Sequence, residues 1–399
     1  MTIAADRDRL LDRPREALDR ARRDPACWAE FAYDSAPDEE GRLTDRHRRA
    51  RFGLLLALQY DRREADLPLL RFVLRQQIVH YRELVKHYLP ADFLLAGLLV
   101  AEHRQVEDVW LHWEAKELSF DTALGYRDHL LLTPGVAKVR EAVARSTAPA
   151  RDRLLDHITR RPWTDADVDD WLAGQRRNFP GDPAAENLKT WSHHAAGLGD
   201  PAASRRFLLA WADGEPRTAG TLHMVQFHLA SQGYLAEAIA VQREAVALAE
   251  PEERSSKFET LAELQREAAD FPGAWESLRT AAAELPTHRR AWLPGLWCQV
   301  ARECFLLAPL APGVGEARAA FALGEEVLRA GTCRWMNGAV DAAFTAAEHL
   351  GDTELLARVR ALRRIADEEQ ATAITERPAT ADVDVAGEGQ SAAGHSEDD

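Results

Sequence analysis

Apolar residues recur at intervals of three and four along nearly the whole chain up to Asp367, and strand-like alternation of Val, Ile, Thr and Tyr between turn residues is absent. That period predicts an all-α protein. Leu10, Leu11, Ala17, Leu18 and Ala21 predict one short amphipathic helix or two, broken near Pro14, within an amino-terminal segment of residues 1–44. Ser35 to Gly41 reads as a loop. Further helices are expected at about 45–61, 66–87, 91–103, 105–118 and 136–146, making one helical module over residues 45–160. Thr164 followed by Asp165 and Asp167 is an N-cap signature for a new helix. Beyond the Pro- and Gly-containing break at 179–183, helices of 12 to 16 residues alternate with short loops.

Such regularity calls for a search for repeats. Gly233, Glu237, Ala238, Ile239, Ala245 and Leu248 set out a tight turn and a helix with small residues on one face. Leu261, Ala262, Asp270, Phe271, Ala274, Ala281 and Pro286 repeat the scheme, with Ala274 placed 36 residues after Ala238. Upstream, Leu188, Trp191, Ala195, Gly199 to Pro201 and Ser204 supply a third, weaker unit, Ser204 falling 34 residues before Ala238. Two helices approach closely only where small residues meet, and glycine relieves the turn between them. The pattern resembles the tetratricopeptide repeat over about residues 184–369. The resemblance implies a solenoid of helix pairs, spanning 161–369, whose first helices line a concave groove. Carried onto this sequence, the groove positions are Lys189, His193, His223, Phe227, Glu259, Glu263 and Arg266. They form a mixed surface rather than a basic clamp, and a solvated solenoid face is the plainer reading.

Composition narrows the function classes. Sixty-five Asp and Glu against 50 Lys and Arg give a formal charge of −15, which argues against phosphate neutralisation as a grip on nucleic acid. Forty-five of the 50 basic residues are Arg, the usage expected of a GC-rich bacterial genome. The apolar run Phe93 to Ala101 is far too short to span a bilayer, and the start lacks a hydrophobic signal core, so a cytoplasmic protein without membrane contact is expected. Cys27, Cys298, Cys304 and Cys333 form no C-x-x-C pair and suit reduced thiols. Residues 370–399 carry seven acids against Arg377 and no aromatic residue, the composition of a disordered tail.

Two constellations stand out in the amino-terminal module. His80, Glu83 and His87 at helical spacing, with His103 and Glu107 at i, i+4, could offer metal ligands from two helix faces. Interleaved Arg82, Lys86 and Arg104 favour salt-bridged, solvated faces instead. Trp113, Lys116, Asp121, Tyr126 and His129 lie in a stretch rich in aromatic and ionisable types, suited to a ligand pocket or to a core whose polar tips need partners. No G-x-S-x-G elbow, H-E-x-x-H helix or phosphate-binding loop is present. The expectation is therefore a scaffold without a cofactor that binds another protein or peptide. The alternatives are an enzyme, or a metal or small-molecule binder, with its pocket in residues 80–130. A helical-repeat regulator of transcription or defence is weaker still, given the acidic charge. Partner identity and oligomeric state are not written in the sequence.

Overall fold

The computed structural model describes residues 2–85, 88–285, 295–330 and 337–375, and the chain divides into two units, Met1–Glu215 and Pro216–Asp399. It is almost wholly helical, as the periodicity predicts. The acidic tail assigned to residues 370–399 falls, from Glu376 onward, outside the described residues.

In the first unit, α1 (Ile3–Arg23) runs unbroken through Pro14. The break expected there is absent because Pro14 is buried, its ring facing Gly53 of α2 (Arg48–Tyr60), where an added Cβ would lie 3.4 Å from it. Packing thus offsets the lost amide hydrogen bond. The expected loop at 35–41 is part of a small hairpin, β1 (Ser35–Pro37) antiparallel to β2 (Leu43–Asp45), with Ser35 opposite Asp45. Its turn is built by Asp38, whose carboxylate accepts the Glu40 and Arg42 amides, and by Gly41 at φ +77°. The pair is the only sheet among the described residues.

Next come α3 (Leu67–His80), continued by a π-helical turn over Tyr81–Val85, and α4 (Ala91–Ala101). Arg104, left-handed at φ 52°, keeps α4 from running on. Short helices follow: α5 (Val109–Lys116), α6 (Phe120–Gly125), α7 (His129–Leu132), α8 (Val136–Arg145) and α9 (Arg151–Thr159). The expected N-cap at Thr164 opens α10 (Asp165–Asn178) in a reciprocal box with Asp167, and Asp165 accepts the Val136 amide at 2.7 Å, capping α8 as well. The unit closes with the pair α11 (Leu188–Gly197) and α12 (Pro201–Ala212).

The second unit is a run of packed helix pairs: α13 (Ala219–Ser231) with α14 (Leu235–Leu248), α15 (Pro251–Glu267) with α16 (Phe271–Ala283), α17 (Leu296–Leu307) with α18 (Val314–Ala330), and α19 (Asn337–His349) with α20 (Thr353–Thr375). First helices of successive pairs also touch, α15 on α17 and α17 on α19. This is helical-repeat packing. Ala238, Ala274 and Ala281 are buried at the pair contacts, where a larger side chain would hold the helices apart.

The repeat is sharpest in its turns. Gly199, Gly233, Ala269 and Gly351 each take a left-handed φ between 58° and 82° between the two helices of a pair. In each turn the next residue's amide reaches a carbonyl five residues back: Asp200 to Ala195, Tyr234 to Leu229, Asp270 to Gln265 and Asp352 to Ala347. These bonds close the helix end in the same Schellman geometry. Asp200, Asp270 and Asp352 then cap the second helix.

Cys304 is a free thiol, and burial pushes its pKa well above the ordinary range. Cys298 is disulfide-bonded, which corrects the reduced state expected from spacing. Spacing along a chain does not report the separation of two sulfurs in space. Cys333 lies outside the described residues.

Candidate functional site

Three groupings of polar side chains can be built from the residues upward. The first surrounds His80. The hairpin ends at Asp45, whose side chain is fully buried and accepts the amides of Asp34 and His47. Arg51, on the first half of α2, is equally buried and pairs with Asp45, with the Phe31 carbonyl at 3.2 Å and with Gln77. His80 Nδ1 lies 3.0 Å from Asp45, close but poorly directed for a hydrogen bond. Burial opposes the charge on Asp45, yet His80 and Arg51 outweigh it and hold the carboxyl far below the usual range. Asp45 is thus paired with a guanidinium, with the His80 imidazole alongside and its Nδ1 left without a hydrogen-bond partner.

Of the other metal-ligand candidates, Glu83 is exposed on the π-helical turn, whose wider winding carries it off the face of His80. His87 lies outside the described residues. His103 falls in the turn after α4, and Glu107 is exposed in the short 3₁₀ turn before α5. Among the described residues no three His, Cys, Asp or Glu side chains are grouped to hold a metal ion.

The second grouping holds the pocket candidates. Lys116 ends α5 almost fully buried, and its ammonium donates to the Ala123 carbonyl at 2.6 Å and the Tyr126 carbonyl at 2.8 Å, 3.0 Å from Asp128 Oδ1. All three ammonium protons have acceptors inside the chain. Asp128 also meets His157 Nε2 at 2.8 Å; burial would raise its pKa, but His157 and Lys116 bring it down to about 2. Tyr126 is buried with its hydroxyl 2.7 Å from His112 Nδ1 and packed so tightly on Gly97 that a Cβ there would lie 2.3 Å from the oxygen. Burial lowers His112 to about 3, so the imidazole is neutral, and raises Tyr126.

Trp113 is buried with its ring 5.2 Å from that of His157. His129 stacks on Trp171 at 4.8 Å and meets Trp163 edge-on at the same distance. Asp121 stands apart, half-buried in the first turn of α6. The structure therefore brings Lys116, Tyr126 and Asp128 together, with Trp113 and His129 on their flanks. Lys116, Asp128 and the Tyr126 hydroxyl are paired within the cluster, whereas the buried ring nitrogens His112 Nε2, Trp113 Nε1, His129 Nδ1 and Trp163 Nε1 have no hydrogen-bond partner.

The third grouping is the series of repeat-face positions. Lys189 and His193, His223 and Phe227, Glu259 and Glu263 stand ten and six residues before the left-handed residues Gly199, Gly233 and Ala269 respectively. They occupy one structural register three times over. Lys189 and His193 belong to the first unit, where the Lys189 ammonium lies 5.5 Å from the centre of the Trp211 ring. The others belong to the second unit. His223 and Phe227 are exposed one turn apart on α13, Phe227 to 57%.

Glu259, Glu263 and Arg266 share a side of α15 that meets α17, where Arg266 Nε reaches Glu303 at 2.7 Å and Arg302 reaches its other oxygen at 3.1 Å. Burial, then the charges of Glu263 and Glu303, push the Glu259 carboxyl up to about 7. Sequence reasoning passed over Glu303, although a lone acid in the apolar stretch Leu296–Leu307 was a visible signal. No helix among the described residues is long and apolar enough to cross a membrane. No protein-family model and no curated protein matches the chain.

Proposed function

We propose that the chain is an interaction scaffold of the tetratricopeptide-repeat-like kind, whose second unit holds an extended segment of a protein partner along the first helices α13, α15 and α17. Phe227 carries this reading: a phenyl ring more than half in water, at a face position that recurs from pair to pair. Aromatic side chains at such positions are the anchors that dominate peptide recognition. Glu259 and Glu263 occupy the same register on the next pair, so the segment that fits carries an apolar residue for Phe227 and a basic one beside it. Replacing Phe227 costs little folding stability because so much of its ring is already exposed.

The pocket alternative in residues 80–130 is weakened by the internal use of its ammonium and carboxylate and favoured by the unpartnered buried nitrogens His112 Nε2, Trp113 Nε1 and His129 Nδ1. A ligand would have to displace three hydrogen-bonded or charged contacts of Lys116 to reach it.

The test is selection of extended peptides from a random library on the full chain, followed by titration of the tightest one. The expected result is a loss of affinity of tenfold or more, about 1.4 kcal/mol, in Phe227→Ala and in Glu263→Lys. Equal affinity in both variants contradicts the reading.

A further inference from the structure

Arg51, Arg22 and Arg71 reach into the first unit, and each meets a buried carboxylate, of Asp45, Asp66 and Asp108 respectively. Arg140, half-buried on α8, meets none among the described residues. Its Nη2 donates to the Ile158 carbonyl at 3.0 Å and the Arg161 carbonyl at 3.2 Å, while its Nε is buried without a hydrogen-bond partner.

Trp163 stands beside it. The Arg161 carbonyl that Arg140 takes also accepts the Trp163 amide at 2.9 Å, which ties the guanidinium to the residue carrying the indole. Trp163 Nε1 is buried without a partner, and so is Nδ1 of His129, whose ring meets that of Trp163 edge-on at 4.8 Å. The opposite neighbour of His129 is Trp171, stacked on it at the same distance. Arg161 is exposed, lies 5.8 Å from the centre of the Trp163 ring, and likewise pairs with no carboxylate among the described residues.

The acids close by are already engaged. Asp165 accepts the Val136 amide at 2.7 Å, Asp167 accepts the Thr164 amide and hydroxyl, and Asp128 takes Lys116 and His157. The unspent groups are therefore of one kind. Arg140 Nε and Trp163 Nε1 can only donate, His129 Nδ1 donates in one tautomer, and no buried side-chain oxygen of residues 105–171 is left over to receive them. A buried donor without an acceptor costs free energy, and more when it is charged. Such a surplus fits a negatively charged ligand that only accepts; a planar carboxylate matches the guanidinium fork, and indole faces favour a flat ring next to it.

We propose that Arg140, Arg161, Trp163 and His129 form a binding site for a small aromatic carboxylate, whose oxygens take the Arg140 Nε–H and the Trp163 indole N–H. Trp163 is half-buried and follows the exposed Arg161 and Pro162, so the ligand enters by a turn of side chains at the surface. The site lies in the first unit, and neither Phe227 nor the repeat face takes part in it.

The probe is benzoate, titrated into the full, isotopically labelled chain, with the indole N–H resonances of the 11 tryptophans as the readout and Trp163→Phe to assign the one of interest. Saturable movement of the Trp163 resonance, with slower exchange of its proton with solvent, is expected. Arg140→Gln should weaken the affinity about tenfold or more and Arg161→Gln about threefold. Since Arg161 is exposed, its variant keeps the test sound where Arg140→Gln fails to fold. Benzylamine, the same ring with the opposite charge, should leave the resonance in place. A resonance that stays fixed or moves without saturating overturns the site, as does an equal response to benzylamine, saturation by inorganic phosphate in place of benzoate, or wild-type affinity in Arg161→Gln. The groove reading stands apart from each of these results, since no peptide enters the experiment.

Discussion

The aromatic cluster of the first unit and the charged face of the second contain similar side chains put to opposite uses. Around Lys116 the charged groups are matched, while the indole nitrogens of Trp113 and Trp163 are not: the ammonium takes two carbonyls and Asp128, and Asp128 takes His157. Around Glu259 and Glu263 acids outnumber bases, and an exposed phenyl ring, Phe227, stands at the position equivalent to Glu263 in the preceding pair. A group of polar residues that satisfies itself specifies a core. One that is left short of charge is stable only at a cost, and a partner or a proton can relieve it.

The largest expected effect breaks the closed side of that contrast. Lys116→Met leaves two buried carbonyls and Asp128 without their cation, and should cost about 3–5 kcal/mol in chemical denaturation of the first unit. The same measurement on Glu263→Gln should show no loss in the second unit, because it removes a repulsion. A neutral Lys116→Met would mean the cluster is not closed.

The two units should also answer pH with opposite signs. Asp128 ionises at about 2 when folded, below its ordinary 3.8, so its contribution of about 2 kcal/mol is present above pH 4 and lost as the pH falls toward 2. Glu259 contributes up to about 3 kcal/mol that is present in acid and lost between about pH 4.5 and 7. Denaturation followed by a probe in each unit separates the two trends.

The smallest effects sharpen the repeat itself. Ala269 holds a left-handed conformation that costs an L-residue about 1 kcal/mol, so Ala269→Gly should raise the stability of the second unit by that amount. Gly233→Ala should lower it by a similar amount, for backbone reasons alone, since nothing lies within 4 Å of the new methyl group. Equal and opposite shifts in melting temperature would establish that both turns share one geometry.

The helices and the repeat turns were legible in the sequence because they are written locally, in periodicity, in Gly199 and Gly233, and in caps such as Thr164. The repeat extended further than glycine alone reveals: Ala269 keeps the turn without the residue that advertises it. Pro14 misled for the complementary reason, since the packing of α1 on Gly53 overrides a local breaker. The face positions fell out of the repeat register once the turns were aligned. What the sequence could not convey was pairing between distant residues. Nothing near Asp45 in the sequence links it to His80, and nothing near Glu259 reveals Glu303, 44 positions later. Such pairings decide whether a charged residue is spent or available.

The most direct test of the account is the hydrogen-exchange footprint of the tightest selected peptide on the full chain at pH 6.5. The account predicts new protection in α13, α15 and α17 and none in residues 105–171. Protection confined to 105–171 would contradict it and place the binding site among the aromatic residues of the first unit.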